Sequence, residues 1–331
     1  MIITRAPFRV SLFGGSTDYE SFYSKHESLC IGATIDKYTY ASLRFRPKVV
    51  SHESIISYSS LDKTLDHPSI GNPLIREALK KFNIKSAIDL HLFGDMPSRT
   101  GLGGSSACCV GLCYAIRKLL SLPTDKKTIA LDAIEIERKI LKEPGGIQDQ
   151  IWAAYGGLNS IEIKHDGSFC VKPLPVSEEF VDDFQASIFL VYTNTQRKSS
   201  HIASSHDSPE CEKIKLLIQD ISRQAYIAFC SQDLASIGKL MMENWKEKKK
   251  ISPFICTPEI DRLEEFLLQN KIHGLKLLGS GGSGFMAVLC DKKDKKILTK
   301  SIEKKYPVLD LKVEFNGTES ILEEKNENTI Y

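Results

Sequence analysis

The sequence contains no long apolar run and no excess of charge of one sign. None of its 331 residues belongs to an apolar segment approaching the roughly 20 residues that cross a bilayer. Its 44 Lys and Arg residues nearly balance its 42 Asp and Glu residues, whereas a nucleic-acid-binding protein usually shows a marked basic excess. The charged runs KEKKK (246–250) and KKDKK (292–296) are typical of solvated helix surface. We therefore expect neither a membrane nor a nucleic acid as a partner.

The nine cysteines include no C-x-x-C pair and show no metal-ligand spacing. Cys108, Cys109 and Cys113 fall on one predicted helix, where small apolar side chains pack well. The N-terminus lacks the apolar segment of a signal peptide. We therefore expect reduced thiols in a cytoplasmic protein.

Strands and helices follow one another without a regular βαβ repeat, which favours an α+β fold over a doubly wound sheet. The length suits two domains. A proline-spaced, acidic segment at 173–186 predicts a boundary there, which gives domains at 1–175 and 176–331. The tail after Asn316 is expected to be loose.

Local patterns predict several elements. Alternating Phe8, Val10 and Leu12 predict a half-buried first strand. Asn72 followed by Pro73 predicts a helix start, and the same cap-then-proline signature recurs at 208–209 and 257–258.

Two glycine-rich loops are candidates for binding phosphate. GSGGSG (279–284) satisfies G-x-G-x-x-G, but the following FMAVLC is typical of a strand, so a dinucleotide site is not expected. The alternatives for this loop are a glycine hairpin that allows close backbone approach and a phosphate-binding loop. TGLGGSSA (100–107) lies between a predicted strand and a predicted helix. Free amides and the positive dipole end at a helix start bind anions. This loop is therefore either a phosphate-binding loop or a turn with a helix cap, and no lysine follows it as in a Walker A loop.

Two carboxylates favour the phosphate-binding alternative. Glu137 is predicted on the charged side of its helix, and Asp149 follows it after a Pro-Gly-Gly break that lets the chain reverse. One acid is suited to bind Mg²⁺, and the other to accept a proton from an attacking hydroxyl. The alternative for each is a solvated helix residue.

Four segments in order resemble the GHMP kinase superfamily, and the resemblance covers nearly the whole chain. They are APFRVSLFGGSTDY (6–19), PSRTGLGGSSA (97–107), GGIQDQ (145–150) and KLLGSGGSGF (276–285). The resemblance implies an N-terminal domain like domain 2 of ribosomal protein S5 and a ferredoxin-like C-terminal domain. It also implies ATP and Mg²⁺ as cofactors, with a monomer or homodimer as the assembly.

The resemblance assigns roles to individual residues. Asp149 would be the catalytic base and Arg9 would polarise it, while Ser105 and Glu137 would bind Mg²⁺. The nucleotide phosphates would be held by Arg99, Thr100, Gly101, Leu102, Gly103, Gly104, Ser105 and Ser106. The acceptor substrate would be held by Gly15, Ser16, Thr17, Asp18, Arg197, Gly281 and Gly282.

The first of these segments, APFRVSLFGGSTDY (6–19), narrows the expected substrate. GGS (14–16) replaces the Glu-His pair of galactokinases. The first motif together with EIER (135–138) and GGIQDQ is more similar to D-glycero-D-manno-heptose 7-phosphate kinases. These phosphorylate the anomeric hydroxyl of a sugar phosphate on the way to nucleotide-activated heptose for surface polysaccharide. The alternatives are another GHMP kinase, for a galactose- or fucose-type sugar, mevalonate or homoserine, or a ligand sensor or RNA-binding module that kept the fold without catalysis.

Overall fold

The computed structural model describes residues 1–47, 49, 52–97, 99–195 and 208–324. Arg197 therefore lies outside the described residues. The strands within them are β1 Ile2–Phe13, β2 Ser28–Phe45, β3 Ser54–Ser57, β4 Leu61–Thr64, β5 Ile88–Gly94, β6 Leu158–Ile163, β7 Phe169–Pro173, β8 Ile188–Tyr192, β9 Gly274–Leu277, β10 Phe285–Leu289, β11 Val308–Asp310 and β12 Glu319–Glu323.

The α-helices of the same residues are α1 Glu20–Tyr23, α2 Pro73–Lys81, α3 Gly104–Leu119, α4 Lys126–Ile134, α5 Gln148–Tyr155, α6 Glu178–Ser187, α7 Pro209–Cys230, α8 Leu234–Lys249, α9 Pro258–Leu268 and α10 Lys292–Ile302. A π-helical segment, Glu135–Ile140, continues α4. None of the described helices combines the length and the apolar character that crossing a membrane requires.

Three helices begin where the cap-then-proline signature predicts. Asn72 accepts the backbone N–H of Ile75 at the start of α2. Ser208 and Thr257 cap α7 and α9 in the same way, each followed by proline at the first helical position. The cap oxygen satisfies an amide that has no partner inside the helix, and proline has no N–H to leave unpaired.

The first sheet has the strand order β12-β1-β2-β5-β3-β4, with β6 and β7 continuing from one end of β2. The long strand β2 pairs antiparallel with β1, β5 and β6 along different parts of its length. Residues 6 to 13 of β1 are all buried, so the prediction of a half-buried strand is wrong. Helix α3 packs on β1, and apolar residues of the second half of the chain cover the other side of Phe8 and Val10.

The second sheet has the order β11-β8-β10-β9, with every neighbouring pair antiparallel. Numbered in sequence, this is the 4-1-3-2 order of a ferredoxin-like sheet. The mixed and antiparallel sheets with their packed helices confirm the α+β class expected from the sequence.

The end of the described chain returns to the first sheet. Strand β12 pairs with β1 from Ile2↔Glu323 to Arg5↔Glu319, and Arg5 and Glu319 form an ion pair. The expectation that the chain is loose after Asn316 is therefore wrong as far as Glu323, because β1 offers an open sheet edge. The division at residue 175 stays a prediction, but it assigns β12 to the second domain although β12 belongs to the first sheet.

An apolar core joins the two sheets at the TGLGGSSA loop. It contains Phe8 and Leu102 from the first half of the chain, and Phe184, Phe229 and Phe285 from the second. All five side chains are at least 95% buried. This packing fixes the loop around residue 102 against the turn that precedes β10.

Candidate active site

A cavity of about 290 Å³ lies where the two glycine-rich loops meet. The predicted site residues that line it are Arg9, Gly15, Ser16, Asp18, Arg99, Thr100, Gly101, Gly103, Gly104, Ser105, Ser106, Glu137, Asp149 and Gly281. A cavity of about 700 Å³ lies elsewhere, between β6, β7 and α6, and is lined by none of the predicted residues.

Three predicted residues do not line the cavity. Leu102 is fully buried in the apolar core, and its carbonyl accepts the N–H of Arg9 at 2.9 Å. Thr17 is also fully buried, with its hydroxyl bonded to the carbonyl of Gly14 at 2.8 Å. Gly282 donates its N–H to the carbonyl of Ile255. These three residues therefore support the neighbouring loops and do not face a ligand in the cavity.

The loop at 99–104 presents its backbone to the cavity. Gly101 and Gly103 have φ of +76° and +74°, a conformation that glycine adopts without cost. Gly103 is the N-cap of α3 and has no side chain to cap the helix. The first amides of α3 and the positive end of its dipole therefore remain available for an anion.

The second glycine loop closes against the first. A Cβ on Gly279 would lie 2.5 Å from the Cα of Gly101, so the two backbones are in direct contact. The N–H of Phe285 also donates to the carbonyl of Thr100 at 3.0 Å. GSGGSG thus connects β9 and β10 as a glycine hairpin, and its close packing holds the phosphate-loop candidate in place.

Arg9 and Asp149 form a bidentate ion pair at the cavity. Arg9 Nε and Nη2 donate to the two carboxylate oxygens of Asp149 at 2.8 and 2.7 Å. Arg9 Nη1 donates to the carbonyl of Gly101 at 2.6 Å. The Asp149 side chain is 23% exposed and the Arg9 side chain 7%. A ligand in the cavity can therefore reach the carboxylate, which the guanidinium holds in one orientation.

Glu137 is 1% exposed, so the expectation that it lies on a charged helix side is wrong. It belongs to the π-helical segment, a rare geometry that often occurs at functional sites. Its carboxylate accepts hydrogen bonds from Ser105 Oγ at 3.2 Å and from Gln150 Nε2. Burial raises its pKa. Ser105 and Glu137 together offer the hard oxygen ligands that Mg²⁺ prefers.

Asp18 lines the same cavity, is 2% exposed and is held by backbone amides. Its carboxylate accepts the N–H groups of Ser16 and Gln148, both at 3.2 Å. Burial and the nearby charge of Asp149 raise its pKa to about 6. A Cβ on Gly146 would lie 1.8 Å from Asp18 Oδ2, so the glycine at 146 allows the chain to pass this carboxylate.

Three further cations that the sequence did not predict line the same cavity, namely Arg138, Lys248 and Lys276. Lys276 lies within KLLGSGGSGF (276–285), and Arg138 lies within EIER (135–138) directly after Glu137. Both residues therefore belong to segments that carry the family resemblance. Lys248 belongs to the run KEKKK, which was expected to be solvated surface. That expectation is wrong for Lys248, which is 5% exposed.

Two family models match the chain. The GHMP kinases N terminal domain matches residues 73–157, and the GHMP kinases C terminal model matches residues 225–308. The chain is 30% identical over 320 residues to D-glycero-alpha-D-manno-heptose 7-phosphate kinase of Campylobacter jejuni subsp. jejuni serotype O:2. That alignment covers 92% of this chain and 93% of the relative.

Solved structures show the same fold. A D-glycero-D-manno-heptose 1-phosphate kinase from Bacteroides thetaiotaomicron superposes with a TM-score of 0.81 at 21% identity, over 98% of this chain and all of that one. A putative sugar kinase from Campylobacter jejuni has a TM-score of 0.75 at 27% identity, over 96% and 97% of the two chains.

Proposed function

The chain belongs to the GHMP kinase family, and we propose that it transfers the γ-phosphoryl group of ATP to the anomeric hydroxyl of a sugar phosphate. The proposed acceptor is D-glycero-D-manno-heptose 7-phosphate, which gives the 1,7-bisphosphate. The observation that carries the proposal is the double contact of Arg9, which binds the carboxylate of Asp149 and the carbonyl of Gly101 together. A candidate base and a candidate phosphate loop are thereby joined at one cavity.

The start of α3 supports the binding of ATP phosphates. The backbone from Gly101 to Ser106 borders the cavity except at Leu102, and the uncapped helix terminus attracts negative charge. Ser105 and Glu137 would hold Mg²⁺, which neutralises phosphate charge when bound. Gln150 donates to Glu137 and fixes the orientation of that carboxylate.

Asp149 would act as the base for the acceptor hydroxyl. The hydroxyl oxygen forms a bond to the γ-phosphorus, while the bond from that phosphorus to the β,γ-bridging oxygen breaks and ADP leaves with the electron pair. The hydroxyl proton passes to the Asp149 carboxylate and from there to solvent. In such transfers positioning and electrostatic stabilisation supply most of the rate enhancement.

The acceptor side of the cavity has groups that suit a sugar. Asp18, Ser16 and Gly15 border it, and a buried carboxylate is a strong acceptor for sugar hydroxyls. Gly281 borders the same cavity from the second sheet. Arg197, outside the described residues, is proposed to bind the phosphate at the far end of the sugar. The name of the C. jejuni relative supports a heptose phosphate as the acceptor.

A substrate panel tests the proposal. ADP release is measured with ATP, Mg²⁺ and heptose 7-phosphate, heptose 1-phosphate, galactose, L-fucose or mevalonate, and ³¹P NMR of the product identifies the phosphorylated position. The proposal predicts the highest kcat/KM with heptose 7-phosphate and a new phosphate on C1. A preference for an unphosphorylated acceptor, or phosphorylation elsewhere on the sugar, would refute the proposed substrate and position. Binding of ATP without turnover of any acceptor would support the sensor alternative.

A further inference from the structure

Lys248 is a buried cation at the wall of the candidate active site. It lies at the end of α8, is 5% exposed, and lines the cavity. Its ammonium donates a hydrogen bond to the carbonyl of Gly279. An ammonium has three donors, so this bond leaves capacity for a ligand.

The electrostatic surroundings of Lys248 lack a close counter-ion. No carboxylate of the described residues lies within 4.0 Å of its Nζ, whereas the next residue, Lys249, pairs with Glu264 at 2.8 Å. Burial lowers the pKa of Lys248 to about 8 and repulsion by Arg9 adds to this effect, while the more distant charges of Asp18 and Asp149 offset it only in part. Burying an ammonium without a partner is expensive. An anion that enters the cavity would supply the missing charge.

A second buried lysine lies beside it. Lys276 on β9 donates to the carbonyl of Leu12 at 2.5 Å and is 2% exposed. Burial and the proximity of Lys248 and Arg9 keep its pKa well below the ordinary lysine value. The Arg9 charge is already matched by Asp149, which leaves Asp18 as the carboxylate that faces the two lysines. Two lysines against one carboxylate leave this end of the cavity able to take additional negative charge.

The position of Gly279 indicates which part of the cavity the Lys248 ammonium faces. Gly279 is in backbone contact with Gly101, and the carbonyl of Gly101 accepts Arg9 Nη1. Lys248 is therefore next to the start of the phosphate loop and to the guanidinium that orients Asp149. In the proposed reaction this is the region between the donor phosphates and the acceptor hydroxyl.

We propose that Lys248 is a further catalytic residue whose ammonium contacts the oxygens of the phosphoryl group in transfer. This inference rests on the proposed phosphotransferase function and adds a contact from the C-terminal half of the chain. The charge on the three outer oxygens persists while the bond to the acceptor oxygen forms and the bond to the β,γ-bridging oxygen breaks. A fixed ammonium stabilises that charge without reorganisation.

The first test compares Lys248→Met with Lys246→Met. Methionine keeps the apolar length of the side chain, and Lys246 is an exposed neighbour on the same helix. Lys248→Met should lower kcat by about 10²- to 10³-fold, as for loss of one preorganised donor, and Lys246→Met should leave kcat unchanged. Lys248→Arg, which keeps the charge, should retain more activity than Lys248→Met. Thermal unfolding of all variants checks that they remain folded. Wild-type kcat in a folded Lys248→Met variant would overturn the proposal.

Nucleotide binding separates this inference from the proposed substrate. Calorimetry with AMPPNP and with ADP, both in Mg²⁺, needs no acceptor. Loss of the Lys248 contact should weaken AMPPNP binding by roughly 10-fold and leave ADP binding unchanged. If none of the acceptors in the substrate panel is phosphorylated, the comparison of AMPPNP with ADP affinity still tests the role of Lys248. An unchanged AMPPNP-to-ADP affinity ratio, with only a raised KM for the sugar phosphate, would make Lys248 an acceptor contact and contradict the proposal.

The pH profile gives an independent readout. The charged groups that face Lys248 are Arg9 from β1, Asp18 after β1, Asp149 from α5 and Lys276 from β9. Lys248 loses its proton as pH rises through its pKa of about 8 in the free protein, so kcat/KM of the wild type should fall above that pH. Lys248→Met should lack this fall. If the fall of kcat/KM above about pH 8 persists in Lys248→Met, it belongs to the titration of another group, and the proposal is overturned.

Discussion

The guanidinium of Arg9 holds both carboxylate oxygens of Asp149, at 2.8 and 2.7 Å, from a strand buried on both sides. The pair joins the first strand to the first turn of α5, although 140 positions separate the two residues. The ion pair therefore fixes the carboxylate of Asp149 beside the phosphate loop, whose Gly101 carbonyl accepts Arg9 Nη1.

Asp149→Asn should remove the proposed base. An amide cannot accept the acceptor proton, so kcat should fall by about 10²- to 10⁴-fold, with AMPPNP affinity retained. Steady-state kinetics and calorimetry measure the two quantities. The control is Asp166→Asn in the exposed turn between β6 and β7. Asp149→Asn turning over at the wild-type rate would reject the role as base.

Glu137→Gln should weaken the proposed Mg²⁺ site. The uncharged amide is a poorer ligand for Mg²⁺, so the Mg²⁺ concentration for half-maximal activity should rise by at least about 10-fold. Glu135→Gln is the control, because Glu135 lies on the same π-helical segment but is exposed and pairs with Lys81. Equal Mg²⁺ requirements in the two variants would argue against Glu137 as a ligand.

Gly101→Ala should impair nucleotide binding beyond its effect on stability. A Cβ at this position would lie 2.8 Å from the carbonyl oxygen of Leu278, which would separate the two glycine loops. Gly167→Ala is a matched control: its φ is +78°, close to the +76° of Gly101, and its nearest neighbour is the Tyr23 hydroxyl at 3.4 Å. Each variant should lose roughly 1–2 kcal/mol of stability from backbone strain. Only Gly101→Ala should bind AMPPNP more weakly, and similar affinities for the two variants would contradict this account.

Asp18 should make the protein less stable as pH rises from about 4 to about 6. Burial raises its pKa in the folded protein to about 6 from 3.8, so the folded state keeps the proton to a higher pH than the unfolded chain. Ionisation of Asp18 therefore costs more free energy in the folded protein than in the unfolded chain, by about 3 kcal/mol once the pH exceeds both pKa values. Asp18→Asn should therefore gain stability relative to wild type between about pH 4 and pH 7. Urea unfolding across this range measures the difference, which would stay constant if Asp18 had an ordinary pKa.

The sequence predicts those parts of the fold that depend on local chemistry. The starts of α2, α7 and α9 follow from a capping side chain and proline, which act within one turn of helix. The hairpin between β9 and β10 follows from glycines between two apolar strands. Family resemblance adds the order of the motifs and the two-domain architecture. It also identifies the candidate site residues, of which Arg9 and Asp149 are in direct contact in the structure.

Other features depend on contacts between distant segments and have no local signal. Lys248 shares its run with Lys246, Lys249 and Lys250, and only the packing of α8 decides that Lys248 alone of these four lysines is buried. Leu102 lies inside a loop motif but points into the core between the sheets. Glu137 is buried because the π-helical segment turns its carboxylate towards Ser105. Patterns of hydrophobic and charged residues do not contain this information.

The pairing of β12 with β1 has a consequence for synthesis. The strand that carries Arg9 emerges from the ribosome before the strand that completes its outer edge, which follows the whole ferredoxin-like sheet in the sequence. During translation the β1 edge therefore remains open, with backbone groups exposed to pairing with other chains. A shortened chain that ends before Glu319 would keep this edge permanently open, so it should aggregate even though every residue of the cavity is present.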